Sequence, residues 1–253
     1  MSWGFYQLPL ETNSQDYTAF STPFGSFKWL VMPMGLTGSP PVFQSLMEKV
    51  LVNHTWKSTI PYLDDCIIFS RTAEEHIERL REVFQRFKDA NLKINPLKCE
   101  FFRQHVPFLG HIVSRDGIQA DPAKTSAVRQ YPVPKSVTEV KSFLGLCSYY
   151  RRYVRDFAAI ARPLHQLTEK TKEFYWNPEA NKAFEQLEDC LTSTPILAFP
   201  SMNEPFILCT DASQFAICAV LAQVQNGLER VICYASKSLN KAQSRYSTTK
   251  REI

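Results

Sequence analysis

Two adjacent carboxylates, Asp64 and Asp65, sit at a tight bend between two short apolar runs, and they constrain this chain more than any other feature. The flanks, Ser58-Thr59-Ile60-Pro61 and Cys66-Ile67-Ile68-Phe69-Ser70, read as strands meeting at an acidic turn. Carboxylates held side by side repel, so the arrangement is costly unless a cation binds or one group takes up a proton. A hard divalent ion such as Mg²⁺ suits oxygen ligands of this kind. The alternative is an ordinary Asp-Asp hairpin turn, because Asp tolerates left-handed backbone and caps its own neighbours.

A chain of 253 residues, 44% hydrophobic and 21% charged, can bury a sizeable core as one large or two modest domains. No apolar run approaches a membrane span, and Met1-Ser2-Trp3-Gly4-Phe5-Tyr6 lacks the basic region and cleavage pattern of a signal peptide. The expectation is a soluble, intracellular protein with no membrane partner. Seven scattered cysteines never fall at the paired spacing of a zinc knuckle or redox site, and they read as buried thiols in a reducing compartment. A Cys99/His105/His111 zinc cluster lacks a fourth ligand at suitable spacing. The net charge of +4 is unevenly spread. Residues 98 to 156 hold ten Lys/Arg against five acids, whereas the rest of the chain carries 19 basic and 20 acidic residues. Phosphate contacts are expected in that segment, with a solvated helical face as the competing reading.

Along the chain, Tyr17-Thr18-Ala19-Phe20-Ser21 and Phe27-Lys28-Trp29-Leu30-Val31 look like paired strands around Pro23-Phe24-Gly25-Ser26. A helix is expected after Gly38, with Ser39 as cap, Pro40 at its first position, and Val42, Phe43, Leu46, Met47 and Val50 on one face. Thr72 and Glu75 form a capping box ahead of Ile77, Leu80, Phe84 and Phe87, a stripe expected to cover the sheet that carries the acidic hairpin. Phe101-Phe102 and Phe108-Leu109-Gly110-His111-Ile112-Val113 suggest a further hairpin, closed before Asp116-Gly117. From Asp121 the texture is helical, and Ser136 with Glu139 makes a second capping box before Val140, Phe143, Leu144 and Cys147. Tyr149-Tyr150-Arg151-Arg152-Tyr153 reads either as a surface that stacks on and pairs with nucleic acid, or as an amphipathic helix with its tyrosines in the core. A boundary is expected near Lys170 to Tyr175. Asn177-Pro178 then starts a helix with Ala180, Phe184, Leu187 and Leu191 inward. Three apolar runs, Phe206 to Cys209, Ala216 to Leu221 and Val231 to Ala235, read as a strand meander, and a last helix is expected from Thr248.

Six blocks in order carry a family resemblance: Gly4-Phe5-Tyr6-Gln7, Met32 through Pro40 (MPMGLTGSP), Tyr62-Leu63-Asp64-Asp65, Phe108-Leu109-Gly110-His111, Tyr149-Tyr150-Arg151-Arg152 and Thr210-Asp211-Ala212-Ser213. Together they resemble the polymerase polyprotein of gypsy-type long-terminal-repeat retrotransposons, in which a reverse transcriptase runs into a ribonuclease H. The resemblance implies an α+β fold: a right-hand polymerase palm with partial fingers over 1–118, a helical thumb or connection over 119–174, and a truncated ribonuclease H-like domain over 175–253. The implied function is that of an RNA-directed DNA polymerase working on an RNA or DNA template with primer and deoxynucleoside triphosphates, and cleaving RNA in RNA-DNA hybrids. The alternative is a non-catalytic nucleic-acid-binding remnant of a decayed or co-opted element. The parent element implies an intracellular, cytoplasmic setting in a virus-like particle.

By the same resemblance Asp64 and Asp65 belong to the polymerase carboxylate set, with Asp64 the more direct ligand of two Mg²⁺ ions, about 4 Å apart in such sites; Mn²⁺ is the substitute. The family's third carboxylate precedes the residue aligned with Met1, so little synthesis is expected from residues 1–253 alone. Phe5 matches the bulky residue that excludes a ribose 2′-hydroxyl, and Met34 and Gly35 border the incoming nucleotide. Lys98 matches a lysine that protonates the leaving pyrophosphate. Leu109-Gly110-His111 matches the turn that grips the primer end, and Arg151 and Arg152 are nucleic-acid contacts. Asp211, read as ending a buried strand, and Glu252 match the first two of four metal-binding ribonuclease H acids. Without the resemblance Phe5 reads as a core aromatic, Asp211 as a turn former and Glu252 as a solvated helix residue.

Overall fold

The computed structural model describes residues 1–169, 173–240, 242–247 and 250–251. The chain mixes helix and sheet, and it divides into two compact units, Met1–Arg103 and Gln104–Ile253. Among the described residues no helix is long and apolar enough to cross a membrane.

In the first unit a short helix α1 (Thr12–Gln15) leads to a hairpin of β1 (Phe20–Thr22) and β2 (Gly25–Phe27), with Phe20 opposite Phe27. These strands are shorter than expected from sequence and shifted inward. The reason is the turn: Thr22 Oγ1 donates to the Gly25 carbonyl (3.1 Å) and accepts from Phe24 N–H (3.2 Å), which leaves only Pro23 and Phe24 outside the ladder. Asp16–Thr18 is instead a 3₁₀ turn, with Asp16 paired to Lys28 at 2.8 Å.

Helix α2 (Ser39–Val50) begins where expected, but Ser39 does not cap it. Gly38 holds the cap position, and the buried Ser39 hydroxyl donates to the Pro33 carbonyl at 3.0 Å. Phe43 and Met47 are buried, with Leu46 and Val50 packed alongside; Val42 lies on the exposed shoulder. The acidic hairpin follows as β3 (Thr59–Tyr62) and β4 (Asp65–Ile68), antiparallel with Tyr62 opposite Asp65.

Helix α3 (Ala73–Asp89) has the expected N-terminus: Thr72 Oγ1 accepts from Glu75 N–H at 3.2 Å, and Glu75 reaches back to Arg71 N–H at 2.8 Å. Its buried residues are Val83 and Phe87, whereas Ile77 and Phe84 are exposed, so the inward stripe is rotated from the one read in sequence. The run contains two overlapping apolar stripes, and periodicity alone does not choose between them. Met32, Phe43, Met47, Leu51, Val83, Phe87 and Leu92 form the core of this unit.

The second unit opens with a three-stranded antiparallel meander, β5 (His105–Phe108), β6 (His111–Ser114) and β7 (Gly117–Ala120). Phe101 and Phe102 lie before it and outside any strand. Phe102 sits at φ 56°, a left-handed conformation that ends extended structure. Helices α4 (Pro122–Arg129), α5 (Val137–Tyr149), α6 (Phe157–Gln166) and α7 (Pro178–Thr192) follow. Each start except that of α6 is capped by a side chain: Asp121, Ser136 and Asn177 accept from Ala123, Glu139 and Ala180 N–H.

The expected apolar positions of α5 and α7 are buried, and Phe143 meets Phe184 with ring centroids 4.5 Å apart. One continuous core runs through these helices to Leu197. The unit closes with the expected meander, β8 (Ile207–Ala212), β9 (Ala216–Gln225) and β10 (Leu228–Ser238), in the order β10-β9-β8. Gln223 is fully buried and satisfied, exchanging hydrogen bonds with Ser201 N–H and C=O, both at 2.8 Å.

Two further expectations change. Of the seven cysteines only Cys147 is buried, and Cys209 is exposed on the edge strand β8. Strand β8 is also not the buried strand expected to carry Asp211: Leu208, Cys209, Thr210 and Asp211 are all exposed. The helix expected from Thr248 falls largely outside the described residues, and Glu252 lies outside them.

Candidate functional site

The acidic turn is built by local strain and one helical side chain. Only Leu63 and Asp64 separate β3 from β4, and such a tight reversal needs positive φ, normally supplied by Gly or Asn. Leu63 adopts φ 49° instead, a conformation costing a branched residue about 1–3 kcal/mol that surrounding contacts must offset. Gln44, on α2, supplies them. Its Oε1 accepts from Leu63 N–H at 2.8 Å, and its Nε2 donates to the Pro61 carbonyl at 3.2 Å. Pro61 has no N–H to give the ladder, and its carbonyl takes this bond from the helix side. Sequence reasoning missed Gln44, because a single Gln on an amphipathic helix carries no local signal.

The segment Met1–Gln7 packs against the same turn. Met1 N donates to the Asp64 carbonyl at 2.9 Å. Gln7 ties the segment to Lys93, accepting from Lys93 N–H at 2.7 Å and donating to the Lys93 carbonyl at 3.0 Å. Gly4 is buried directly beneath the Asp64 carboxylate, where a Cβ would overlap Oδ1 and lie 3.1 Å from the Phe43 ring. Phe5 is half-buried, edge-on to Phe43 at 5.5 Å.

Both carboxylates are exposed, and neither side chain has a hydrogen-bond or ion-pair partner among the described residues. Two uncompensated anionic oxygen donors on adjacent residues fit a hard divalent cation. Among the described residues no third His, Cys, Asp or Glu joins them. The neighbouring Cys66 thiol is pushed up to about 12 by burial. Met34 is exposed, Gly35 sits at φ 93° with open space around it, and Lys98 ends an exposed 3₁₀ turn, Pro96–Lys98.

In the second unit, Leu109 (φ 49°) and Gly110 (φ 72°) form the two-residue turn between β5 and β6, both at the positive φ that a type I′ hairpin requires. Tyr149, Tyr150 and Tyr153 converge on this turn with His111. Tyr150 and Tyr153 are each 2% exposed, so two of the three tyrosines are core residues, while Tyr149 remains 55% exposed. Arg151 donates to the Ser236 carbonyl and lies 5.7 Å from the Phe157 ring, an intramolecular engagement; Arg152 is exposed. Asp211 accepts from its own neighbour, Ala212 N–H, at 2.9 Å.

Comparison with known proteins gives these sites a context. Residues 1–113 match the family model of reverse transcriptase (RNA-dependent DNA polymerase), and residues 176–253 match an RNase H-like domain found in reverse transcriptase. The chain is 40% identical over 99% of its length to a retrovirus-related Pol polyprotein from transposon opus of Drosophila melanogaster, covering 26% of that protein. It is 36% identical over 99% of its length to the corresponding polyprotein from transposon gypsy, covering 25%. The chain therefore spans about a quarter of the length of these curated relatives. In fold it is similar to a foamy viral protease-reverse transcriptase solved with double-stranded DNA, at a TM-score of 0.88 and 24% identity over 98% of this chain and 44% of that one.

Proposed function

We propose that this chain, whose residues 1–113 and 176–253 match reverse transcriptase and RNase H-like models and which is similar throughout to retrotransposon Pol polyproteins, contributes part of an RNA-directed DNA polymerase centre to a longer polyprotein, with Asp64 and Asp65 as metal ligands. The observation that carries this reading is the uncompensated carboxylate pair on a strained turn, pinned by Gln44 and undercut by Gly4. Mg²⁺ or Mn²⁺ bound there would acidify the primer 3′-hydroxyl and offset charge on the leaving pyrophosphate. The protein's share is positional. Gln44 and Leu63 fix where the carboxylates stand, and the Phe43 contact fixes the Phe5 ring, so that steric exclusion at Phe5 selects deoxyribose.

In this reading residues 1–118 are palm and partial fingers, 119–174 thumb or connection, and 175–253 the ribonuclease H-like part. Met34 and Gly35 border the deoxynucleoside triphosphate, and Lys98 protonates pyrophosphate. Leu109, Gly110, His111 and Arg152 face the duplex, whereas Arg151 contributes through its contacts within the fold. Asp211 and Glu252 serve hybrid cleavage. Support for nucleic-acid partners comes from the foamy viral neighbours, solved with double-stranded DNA and with an RNA/DNA hybrid, and from the basic excess of residues 98–156. The parent element would act in the cytoplasm within a virus-like particle.

The test uses the parent polyprotein and its Asp64→Asn variant, extending a DNA primer on an RNA template with Mg²⁺. Extension should fall by more than about 10²-fold, since losing a direct ligand exceeds the 10–100-fold typical of outer-shell losses, while primer-template binding stays near wild type. Normal extension by the variant overturns the assignment. Salt-sensitive binding with no Mg²⁺-dependent product from either protein would identify a binding remnant instead.

A further inference from the structure

Three tyrosine hydroxyls from one five-residue stretch close on a single turn 40 residues away. Tyr149 donates to the Leu109 carbonyl at 2.6 Å and Tyr150 to the Gly110 carbonyl at 2.9 Å. The Gly110 carbonyl also accepts from Asp121 N–H at 3.1 Å, so both of its lone pairs are used. Tyr153 lies 3.0 Å from His111 Nδ1, and the Tyr149 ring stacks on the imidazole at 5.5 Å with 11° between planes. The fit leaves little room at Gly110, where a Cβ would lie 3.1 Å from the Tyr150 hydroxyl and 3.3 Å from Tyr149 Cε1 on a backbone at φ 72° that strains any other residue.

We propose that Tyr149, Tyr150 and Tyr153 are positioning residues that hold the Leu109-Gly110-His111 turn in one shape and keep the His111 proton on Nε2, so that a preformed turn meets the nucleic-acid backbone. The inference rests on the reading of this turn as a primer contact. The tautomer follows from satisfaction of buried groups. Tyr153 is 2% exposed, and His111 Nδ1 is its hydroxyl's only hydrogen-bond partner among the described residues. Were Nδ1 to carry the proton, the Tyr153 O–H would be left buried without an acceptor. With Tyr153 donating, neither group is left as a buried orphan and Nε2 becomes the donor.

The charged neighbours agree. Burial, then Arg152, hold His111 below the usual imidazole range, with Asp121 opposing more weakly, and burial pushes Tyr153 up to about 12 so that it keeps its proton. The remaining titratable groups against the ring are the Tyr149 and Tyr150 hydroxyls.

The test is ¹⁵N NMR of histidine-labelled residues 1–253 at neutral pH, with a His111→Gln control to assign the signals, alongside binding of an RNA-DNA primer-template duplex. The wild type should show the Nε2–H tautomer at His111. Tyr153→Phe should lose that tautomer preference while the signals of the other four histidines are kept, and duplex binding should weaken about three- to tenfold, the scale of one hydrogen bond. Tyr150→Phe, which removes a turn contact but not the His111 bond, should weaken binding to a similar degree with the tautomer unchanged. An Nδ1–H tautomer in the wild type, or an unchanged tautomer in Tyr153→Phe, overturns the proposal. Altered tautomer with unaltered binding in Tyr153→Phe overturns the positioning role, and unaltered binding in His111→Gln as well overturns the primer-contact reading beneath it.

Discussion

At the scale of single residues, Gly4 and Asp64 compete for one space. A methyl group on Gly4 would overlap Asp64 Oδ1, with the Phe43 ring closing the other side, so the carboxylate must turn away if the residue grows. On the proposed role of Asp64 as a metal ligand, Gly4→Ala in the parent polyprotein should cut primer extension by about 10–100-fold, while the protein stays folded. Circular dichroism and steady-state extension measured together check this; full activity in the alanine variant would mean that the carboxylate position does not matter. Asp64 and Asp65 were legible in sequence as an acidic turn and a candidate site because their chemistry is local: two like charges on adjacent residues need an explanation wherever they occur. Gly4 stood within a recognisable block, but its partner is 60 positions away, and no spacing rule reports a contact of that range. The tyrosines of 149–153 were equally opaque. Stacking surface and core helix look the same in sequence, and the hydroxyl partners that decide between them lie on another element.

At the scale of elements, the acidic hairpin depends on α2 more than on its own turn chemistry. A two-residue turn with Leu63 at φ 49° is poor by itself, and Gln44 supplies one acceptor and one donor to the backbone on either side of the bend. Gln44→Leu keeps much of the side-chain volume and removes both bonds. It should destabilise by about 1–3 kcal/mol, since Leu63 N–H loses its acceptor, and extension should fall about 10–100-fold with little change in primer-template affinity. Chemical denaturation and a kcat against KM comparison separate the two effects; loss of affinity with kcat intact would show that Gln44 acts elsewhere.

Helix starts were the most legible elements, because Thr72 with Glu75, Ser136 with Glu139 and Asn177 with Pro178 are signals confined to one turn of chain. The β1-β2 hairpin was legible in kind and misplaced in its strand bounds. Its turn length was set by a Thr22 side-chain bond that composition does not announce. For α3 the element was clear and the inward face was not, because Ile77, Leu80, Val83, Phe84 and Phe87 leave two apolar stripes to choose from.

At the scale of the whole chain, two separate cores imply two cooperative units. One is centred on Phe43 and Met47 within Met1–Arg103, the other on Phe143, Phe184 and Leu187 within Gln104–Ile253. Each is of ordinary domain size and has its own fully buried aromatic, so each can unfold as a unit. The second core joins helices on both sides of residues 170–175, where the change in sequence texture suggested a boundary. Texture follows local composition, whereas a core is defined by contacts between segments far apart in sequence.

Denaturant unfolding should therefore be resolved into two transitions. Phe143→Ala should lower the one belonging to residues 104–253 by about 3–5 kcal/mol, the cost of emptying a packed aromatic site, and leave the other in place. Phe43→Ala should do the reverse. Hydrogen exchange assigns each transition to its unit, with protection lost first around the substituted residue. If either substitution moves both transitions together, the two cores act as one cooperative structure, and the division at Arg103 and Gln104 describes shape without describing folding.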